Sequence, residues 1–358
     1  MILKQNVMSH QNIGRNIERE IHQYREIHQY IERETGTVKT EKLYADPMIR
    51  FIYSAARENS QLLFKMLTSA RMSSFLGFFN YDLCLETRIT KGKKLMAALG
   101  IDFSECLDYP GNLNTAKKIF ERKIRYWETR PMPKEPSAIV SAADAKVLLG
   151  SLDETSHLFL KEKFFHFEDL LGRDKQSWLT AFKGGDFAIF RLTPEKYHYN
   201  HTPVCGKVLD VYQIPGGYHS CNPSAVVIMA TPYSKNKRVV TIIDTDVEGG
   251  TGAGLVAMIE IVALMIGDIT QCYSESRYDH PKDIHKGMLL HKGQPKSLYR
   301  PGSSTDVLIF QKGRVKFSGD LVSNLHHQDV RSRFSKGFGR PLAETDLKVR
   351  SEIAAAIQ

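Results

Sequence analysis

Tyr299-Arg300-Pro301-Gly302-Ser303-Ser304-Thr305-Asp306-Val307-Leu308-Ile309-Phe310 joins a tight turn to a strand. The Pro-Gly pair bends the chain, two hydroxyls stand at the exit, and the apolar, β-branched run that follows reads as buried β-structure. On this pattern alone the segment is a Gly-Ser turn between strands. A chemical role for it has to come from the rest of the chain.

On its N-terminal side the runs Ala138–Val140, 147–149, 158–160, 187–192, 206–212, 225–230, 239–243 and Leu255–Val262 are also short and β-favouring, with Gly, Pro, Asn and Asp between them. Few of the spacers are long enough for crossover helices. The spacing therefore predicts a mainly antiparallel sandwich or barrel-like domain rather than a parallel sheet. Three prolines in Pro131-Met132-Pro133-Lys134-Glu135-Pro136 close a helical section ahead of it. The expected fold is α+β, an N-terminal helical section followed by a β-rich domain. Residues 1–46 are expected to be a polar amphipathic helical segment, because Ile13, Ile17, Ile21, Tyr24, Ile27 or His28, and Ile31 recur at three- and four-residue steps. Residues 47–136 form the helical region, 137–320 the β-rich domain, and 321–358 a polar tail that wraps the surface. Between residues 47 and 79 an apolar stripe is interleaved with Arg50, Arg57, Lys65 and Arg71. It either packs on the core or lies on an anionic bilayer surface.

The chain has 358 residues, 42% hydrophobic and 25% charged, enough to bury a sizeable core. A formal net charge of +9 suits an acidic partner, whether nucleic acid, membrane surface or anionic substrate, or is plain solvation. The five cysteines contain no C-x-x-C pair, so neither a disulfide framework nor a zinc knuckle is suggested, and a reducing compartment fits. There is no signal-peptide core and no apolar run of about 18 residues. A cytoplasmic protein, soluble or peripheral at a membrane, is expected.

Three constellations could carry chemistry. In Ser141-Ala142-Ala143-Asp144-Ala145-Lys146-Val147 an acid sits among small residues, able to orient or deprotonate a neighbour, or simply to fix a turn. In Tyr197-His198-Tyr199-Asn200-His201-Thr202-Pro203 an extended chain points His198 and His201 to opposite faces, which argues against a metal site. Glu248-Gly249-Gly250-Thr251-Gly252-Ala253-Gly254 follows a strand but precedes another strand and lacks G-K-[ST], so it reads as a hairpin loop rather than a phosphate cradle.

The order of these motifs resembles the phosphatidylserine decarboxylase family. Phe120-Glu121-Arg122-Lys123-Ile124-Arg125 and the prolines after it look like that family's approach to its catalytic Asp, matched by Asp144. The segment from Phe190-Arg191-Leu192 to His201-Thr202-Pro203-Val204 resembles its Tyr-His-x-x-His-x-Pro motif. Met258-Ile259-Glu260-Ile261-Val262 and the residues up to Ile269 look like the paired apolar strands before its self-cleavage site, and Lys292-Gly293-Gln294 is similar to its Lys-Gly-Asp/Glu hairpin. Pro301-Gly302-Ser303-Ser304-Thr305 falls where the family carries Leu-Gly-Ser-Thr or a Gly-Ser-Ser variant. The resemblance spans residues 115–317. It departs from the family at Lys196, where an acid is usual, and at Tyr199, where an Arg is usual.

This resemblance implies a self-made pyruvoyl cofactor and no metal. Cleavage between Gly302 and Ser303 would convert Ser303 to the ketone; counting back from the following strand favours Ser304 instead, and Ser303 is preferred. His198 would activate the serine, with Asp144 holding its imidazole and His201 in support. The ketone would then take an amine substrate as a Schiff base and allow its carboxylate to leave as carbon dioxide. Phosphatidylserine is the expected substrate; a free amino acid such as tryptophan is the alternative, and a non-catalytic binding or scaffolding protein on the same fold is another. The implied partners are the substrate, an anionic membrane surface and the two cleaved chains to each other, with homodimerisation left open and nucleic acid not expected.

Overall fold

A computed structural model describes residues 27–43, 46, 49, 53, 99–160, 163–229, 231–264, 268–301 and 304–357. Among them the strands are β1 (Gln29–Glu32), β2 (Thr37–Thr40), β3 (Ala138–Val140), β4 (Ala145–Ser151), β5 (Asp186–Leu192), β6 (Tyr199–His201), β7 (Gly206–Ile214) and β8 (Arg238–Asp244). They continue with β9 (Leu255–Val262), β10 (Ile269–Gln271), β11 (Leu289–Leu290), β12 (Pro295–Tyr299), β13 (Ser304–Phe310), β14 (Val315–Phe317), β15 (Glu344–Leu347) and β16 (Glu352–Ala356). Ten form one open sheet in the order β11-β7-β8-β9-β13-β5-β4-β15-β1-β2. Two three-stranded sheets, β10-β12-β6 and β14-β16-β3, complete the fold. Neighbours in the large sheet run antiparallel except β1 with β15. The fold is thus α+β and mainly antiparallel, as expected, but the sheet does not close into a barrel.

The sheet's centre explains why its strands are mostly apolar without alternation. Every residue of β13 is buried, as are all of β9 except Leu255 and all of β5 except Asp186. A strand covered on both faces loses the alternation of a half-exposed one. Phe182 and Leu171, from the helices Gln176–Phe182 and Phe167–Leu171, enter the same core as Ile259 and Leu308.

Four expectations change. Residues 225–230 were expected to be extended, but Pro223–Ile228 is a helix: Pro223 opens it, and the Asn222 side chain accepts from the Ser224 N–H at 2.8 Å. Residues 158–160 contribute only a bridge between Phe159 and Ser151. The C-terminal segment is no surface wrap, since β15 joins the large sheet, β16 lies between β14 and β3, and Leu321, Leu325 and Phe334 are buried. From residue 27 the N-terminal segment is a β-hairpin turned at Gly36 (φ 66°) rather than a helix. The helical periodicity before residue 27 and most of the 47–79 stripe lie outside the described residues, as do Gly302 and Ser303. No helix of the described residues is long and apolar enough to cross a membrane.

Candidate active site

The residues around the Gly-Ser turn are brought together by strand pairing. β12 pairs with β6, placing Leu298 opposite Tyr199 and Ser297 opposite Asn200. One residue further on, the Tyr299 N–H donates to the His198 carbonyl at 3.1 Å. After Tyr299 the chain leaves the small sheet, and at Ser304 it enters the centre of the large one, flanked by Leu192 of β5 and Val262 of β9. His198 is therefore beside the start of the crossing, and Ser304 is its far end.

His198 is buried, its ring stacked on Phe120 with centroids 3.5 Å apart. Neither ring nitrogen makes a hydrogen bond of ordinary geometry among the described residues, although a Lys196 backbone group lies near enough to act on the ring. Burial, and then the charge of Arg122, hold its pKa well below the ordinary histidine value, against weaker opposing effects of a Lys196 backbone group and Asp144. The imidazole is neutral near pH 7, with a nitrogen free to accept a proton. The Ser304 hydroxyl is likewise buried with no partner among the described residues.

His201 is the opposite case. Its Nδ1 lies 2.9 Å from the Gly293 carbonyl and its Nε2 3.0 Å from the Tyr197 hydroxyl. A carbonyl only accepts, so Nδ1 carries the proton and Nε2 accepts from tyrosine. Tyr126 meets the ring edge-on at 4.7 Å. Gly293 can present its carbonyl because the hairpin requires a left-handed turn there (φ 77°), a conformation glycine adopts without strain. Burial pushes His201 down to about 3.

Asp144 takes a partner other than the expected one. Its carboxylate accepts from Arg130 Nε at 2.9 Å and Nη2 at 2.7 Å, and from the Val349 N–H at 2.8 Å. Arg130 also donates to both oxygens of Glu105, at 2.9 and 2.8 Å. Burial alone would raise the Asp144 pKa; the charge and hydrogen bonds of Arg130 outweigh it and keep the group ionised. Asp144 makes no hydrogen bond to His198 and reaches it only through its field.

A buried network lies where the small sheet meets the large one. Glu260 accepts from Lys296 at 2.7 Å, from Gln271 at 3.0 Å, and from Ser297. Asn200 donates to Ser297 at 3.1 Å. Directly across the β9–β13 ladder from Glu260 stands Asp306, with Oδ1 2.7 Å from the Tyr299 hydroxyl. Burial, and then the negative charge of Glu260, push Asp306 well above the ordinary carboxyl range and favour its protonated form. These residues were not singled out from the sequence. The signal was there for Glu260, which interrupts an otherwise apolar strand, and a charge in such a place is paired or neutralised; Asp306, after Ser304 and Thr305, gave less of one.

One group of potential cation ligands exists among the described residues, His28, Glu41 and Glu344. Arg191 already serves it, with Nη1 2.9 Å from Glu41 and Nε 2.9 Å from Glu344. The guanidinium bridges the two acids, with Lys146 a second cation 3.7 Å from Glu41, and ties β5 to β15.

A neutral, unbonded histidine and a buried hydroxyl at the two ends of one strand-to-strand crossing are the makings of an enzyme site rather than of a scaffold. A sequence profile described as phosphatidylserine decarboxylase matches residues 116–335. The chain is similar to the phosphatidylserine decarboxylase proenzyme of Fusobacterium nucleatum, at 27% identity over 316 residues covering 88% of this chain and 98% of that one. It is 27% identical to the proenzyme of that name from Clostridium tetani, covering 84% of this chain and 94% of the relative. The proenzyme from Saccharophagus degradans is 32% identical over 237 residues, 64% of this chain and 80% of that one. The chain belongs to the phosphatidylserine decarboxylase family, and it is a carboxy-lyase.

Proposed function

We propose that the chain is a self-processing decarboxylase that cuts itself between Gly302 and Ser303, converts Ser303 to a pyruvoyl group, and acts on phosphatidylserine to give phosphatidylethanolamine. The observation that carries this reading is the pairing of Tyr299 with His198 at the mouth of the crossing, beside an imidazole whose ring nitrogens are free. In the first reaction the serine hydroxyl loses its proton as its oxygen attacks the Gly302 carbonyl carbon, exchanging amide for ester. Elimination then breaks the Cβ–O bond, and hydrolysis releases ammonia. His198, neutral and unbonded, is the base that takes the hydroxyl proton.

Ser303 is favoured over Ser304 as the precursor by backbone freedom. Ser304 is held in the ladder between Leu192 and Val262, whereas Ser303 precedes the strand and follows glycine, the residue least restricted in backbone angle. Asp144 is a positioning residue, acting through Arg130 and through its negative charge. His201, with both nitrogens occupied, supports the loop.

The buried, unpaired polar atoms of His198 and Ser304 fit a site built around a polar group at the crossing. The pyruvoyl ketone supplies the electron sink for loss of the carboxylate. His198 would deliver a proton to the substrate carbon that the carboxylate leaves. The stack on Phe120 holds that ring in place and excludes water from one face.

A denaturing gel with intact mass tests the reading. Two chains are expected, the smaller of 56 residues counted from Ser303, with a blocked N-terminus. A single full-length species of unmodified mass would refute self-processing. Carbon dioxide release from phosphatidylserine in vesicles, set against free serine and tryptophan, tests the substrate.

A further inference from the structure

A cavity of about 390 Å³ has none of His198, Asp144 and Ser304 in its lining. Three cations line it, Lys134, Lys292 and Arg350, and no Asp or Glu does. Trp127, Met132 and the prolines of the 131–136 segment give it an apolar wall. Gly249 and Gly250, from the glycine-rich hairpin loop after β8, bring main chain without side chains to another side.

The cations lack counter-charges. Lys292 is buried and donates to the carbonyls of Glu135 at 2.7 Å, Pro136 at 3.3 Å and Ala138 at 2.8 Å, with no carboxylate in ion-pair distance among the described residues. Glu135 and Glu352 reach it only as distant charges. Arg350 donates through Nη1 to the Tyr126 and Arg130 carbonyls, both at 2.9 Å. Its Nε is buried without a partner, and its Nη2 makes no hydrogen bond among the described residues. Elsewhere in the chain this same Nε–Nη2 edge holds carboxylates, on Arg130 for Asp144 and on Arg191 for Glu344. Arg350 also has a left-handed backbone (φ 72°), uncommon for a residue with a side chain and typical of places where a group must be aimed. The Arg277 guanidinium, 4.0 Å over the Trp127 ring, adds positive charge behind the wall. Cations buried without counter-charge cost stability that an arriving anion offsets. Met132 packs beside Nε against Gly293, and its unbranched side chain can swing aside to admit one.

We propose that this cavity binds a small organic anion, a carboxylate or phosphate carried on a flat apolar body, with the oxyanion on the free edge of Arg350 near Lys134 and the body against Trp127 and the prolines. The arginine edge meets two oxygens at once, and the apolar wall selects what carries them. The site is separate from the crossing between Tyr299 and Ser304, and its ligand takes no part in the decarboxylation.

The test is calorimetric titration of the full chain with benzoate, phenyl phosphate, benzamide and inorganic phosphate. Benzoate or phenyl phosphate should bind with millimolar affinity or tighter. Benzamide keeps the ring without the charge and inorganic phosphate the charge without the ring, so each should bind about 10-fold more weakly or worse. Loss of charged hydrogen bonds predicts roughly a 10- to 100-fold weaker complex for Arg350→Gln. That variant also gives up two carbonyl contacts, so Lys134→Glu, a change at an exposed side chain, supplies a second reading and should weaken binding roughly 3- to 10-fold. His198→Ala should leave the affinity within about twofold. No binding of either aryl anion at millimolar concentration overturns the proposal, as does equal affinity for benzamide. Unchanged affinity in Arg350→Gln or in Lys134→Glu also overturns it, and so does loss of binding in His198→Ala, which would move the anion to the crossing. Binding is read without turnover, so an uncut chain that still takes up the anion counts against self-processing alone.

Discussion

Tyr299 holds both sides of the crossing: its N–H donates to His198 in the small sheet, while its hydroxyl lies 2.7 Å from Asp306 and 3.0 Å from the Ile261 nitrogen in the large one. The hydroxyl is also 3.0 Å from the Thr305 carbonyl, so one residue marks where the crossing begins through its main chain and where it ends through its side chain.

Tyr299→Phe keeps the ring and the main-chain bond to His198 and removes the hydroxyl contacts. It leaves the Ile261 N–H and the Asp306 carboxyl buried without their partner, each costing about 1–3 kcal/mol. Slower self-cleavage is expected with a lower urea midpoint, read from a time course on a gel and from unfolding curves. A variant that cleaves at the wild-type rate would show that the staple has no part in setting the geometry.

The strands around the crossing were legible because each is an apolar run closed by turn residues, and β5, β8, β9 and β13 fall where those runs predict. Residues 225–230 misled for a local reason. Val226, Val227 and Ile228 favour strands, but Asn222-Pro223 ahead of them is a helix start, and the cap outweighs the propensity. The C-terminal strands were hidden by composition, since Glu344 and Asp346 look exposed until their distant partners Arg191 and Lys196 are in place. In the site, extended geometry separated His198 from His201, but only tertiary contacts reveal which has free nitrogens. The Asp144–Arg130 pair joins residues on either side of the prolines, a contact no local pattern reports.

His198→Ala should stop self-cleavage outright, whereas His201→Gln should only slow it, because glutamine can still donate to Gly293 and accept from Tyr197. Asp144→Asn should fall between, since it removes a charge that favours the His198 cation but leaves Arg130 its pair with Glu105. The uncut fraction after purification measures all three. Full cleavage in His198→Ala would transfer the base to another residue.

Lys296→Met should be among the more destabilising single changes in the molecule. It leaves Glu260 buried without a counter-charge beside Asp306, an arrangement that costs about 3–5 kcal/mol when one partner of a buried pair is lost. Adding Glu260→Gln removes the stranded charge and should recover much of the loss. Equal urea midpoints for the single and double variants would mean that the pair is not coupled.

The two bonded nitrogens of His201 also predict how stability responds to acid. The folded protein holds this ring neutral down to about pH 3, whereas the unfolded chain takes up a proton near the ordinary histidine value of 6.5. Between those values the unfolded state binds more protons, so stability is greatest above pH 6.5 and falls as the pH drops, reaching its full loss near pH 3. From pH 6.5 to 5, above the range where most carboxylates titrate, His201 alone should remove on the order of 2 kcal/mol. His219, which burial lowers to about 4, contributes in the same direction. His201→Gln has no such proton to exclude, so its urea-derived stability should decline less steeply across this window, by up to one proton in the linkage slope. Parallel curves for variant and wild type would mean that His201 takes up its proton at the same pH folded and unfolded, and that its contacts with Gly293 and Tyr197 do not govern its charge.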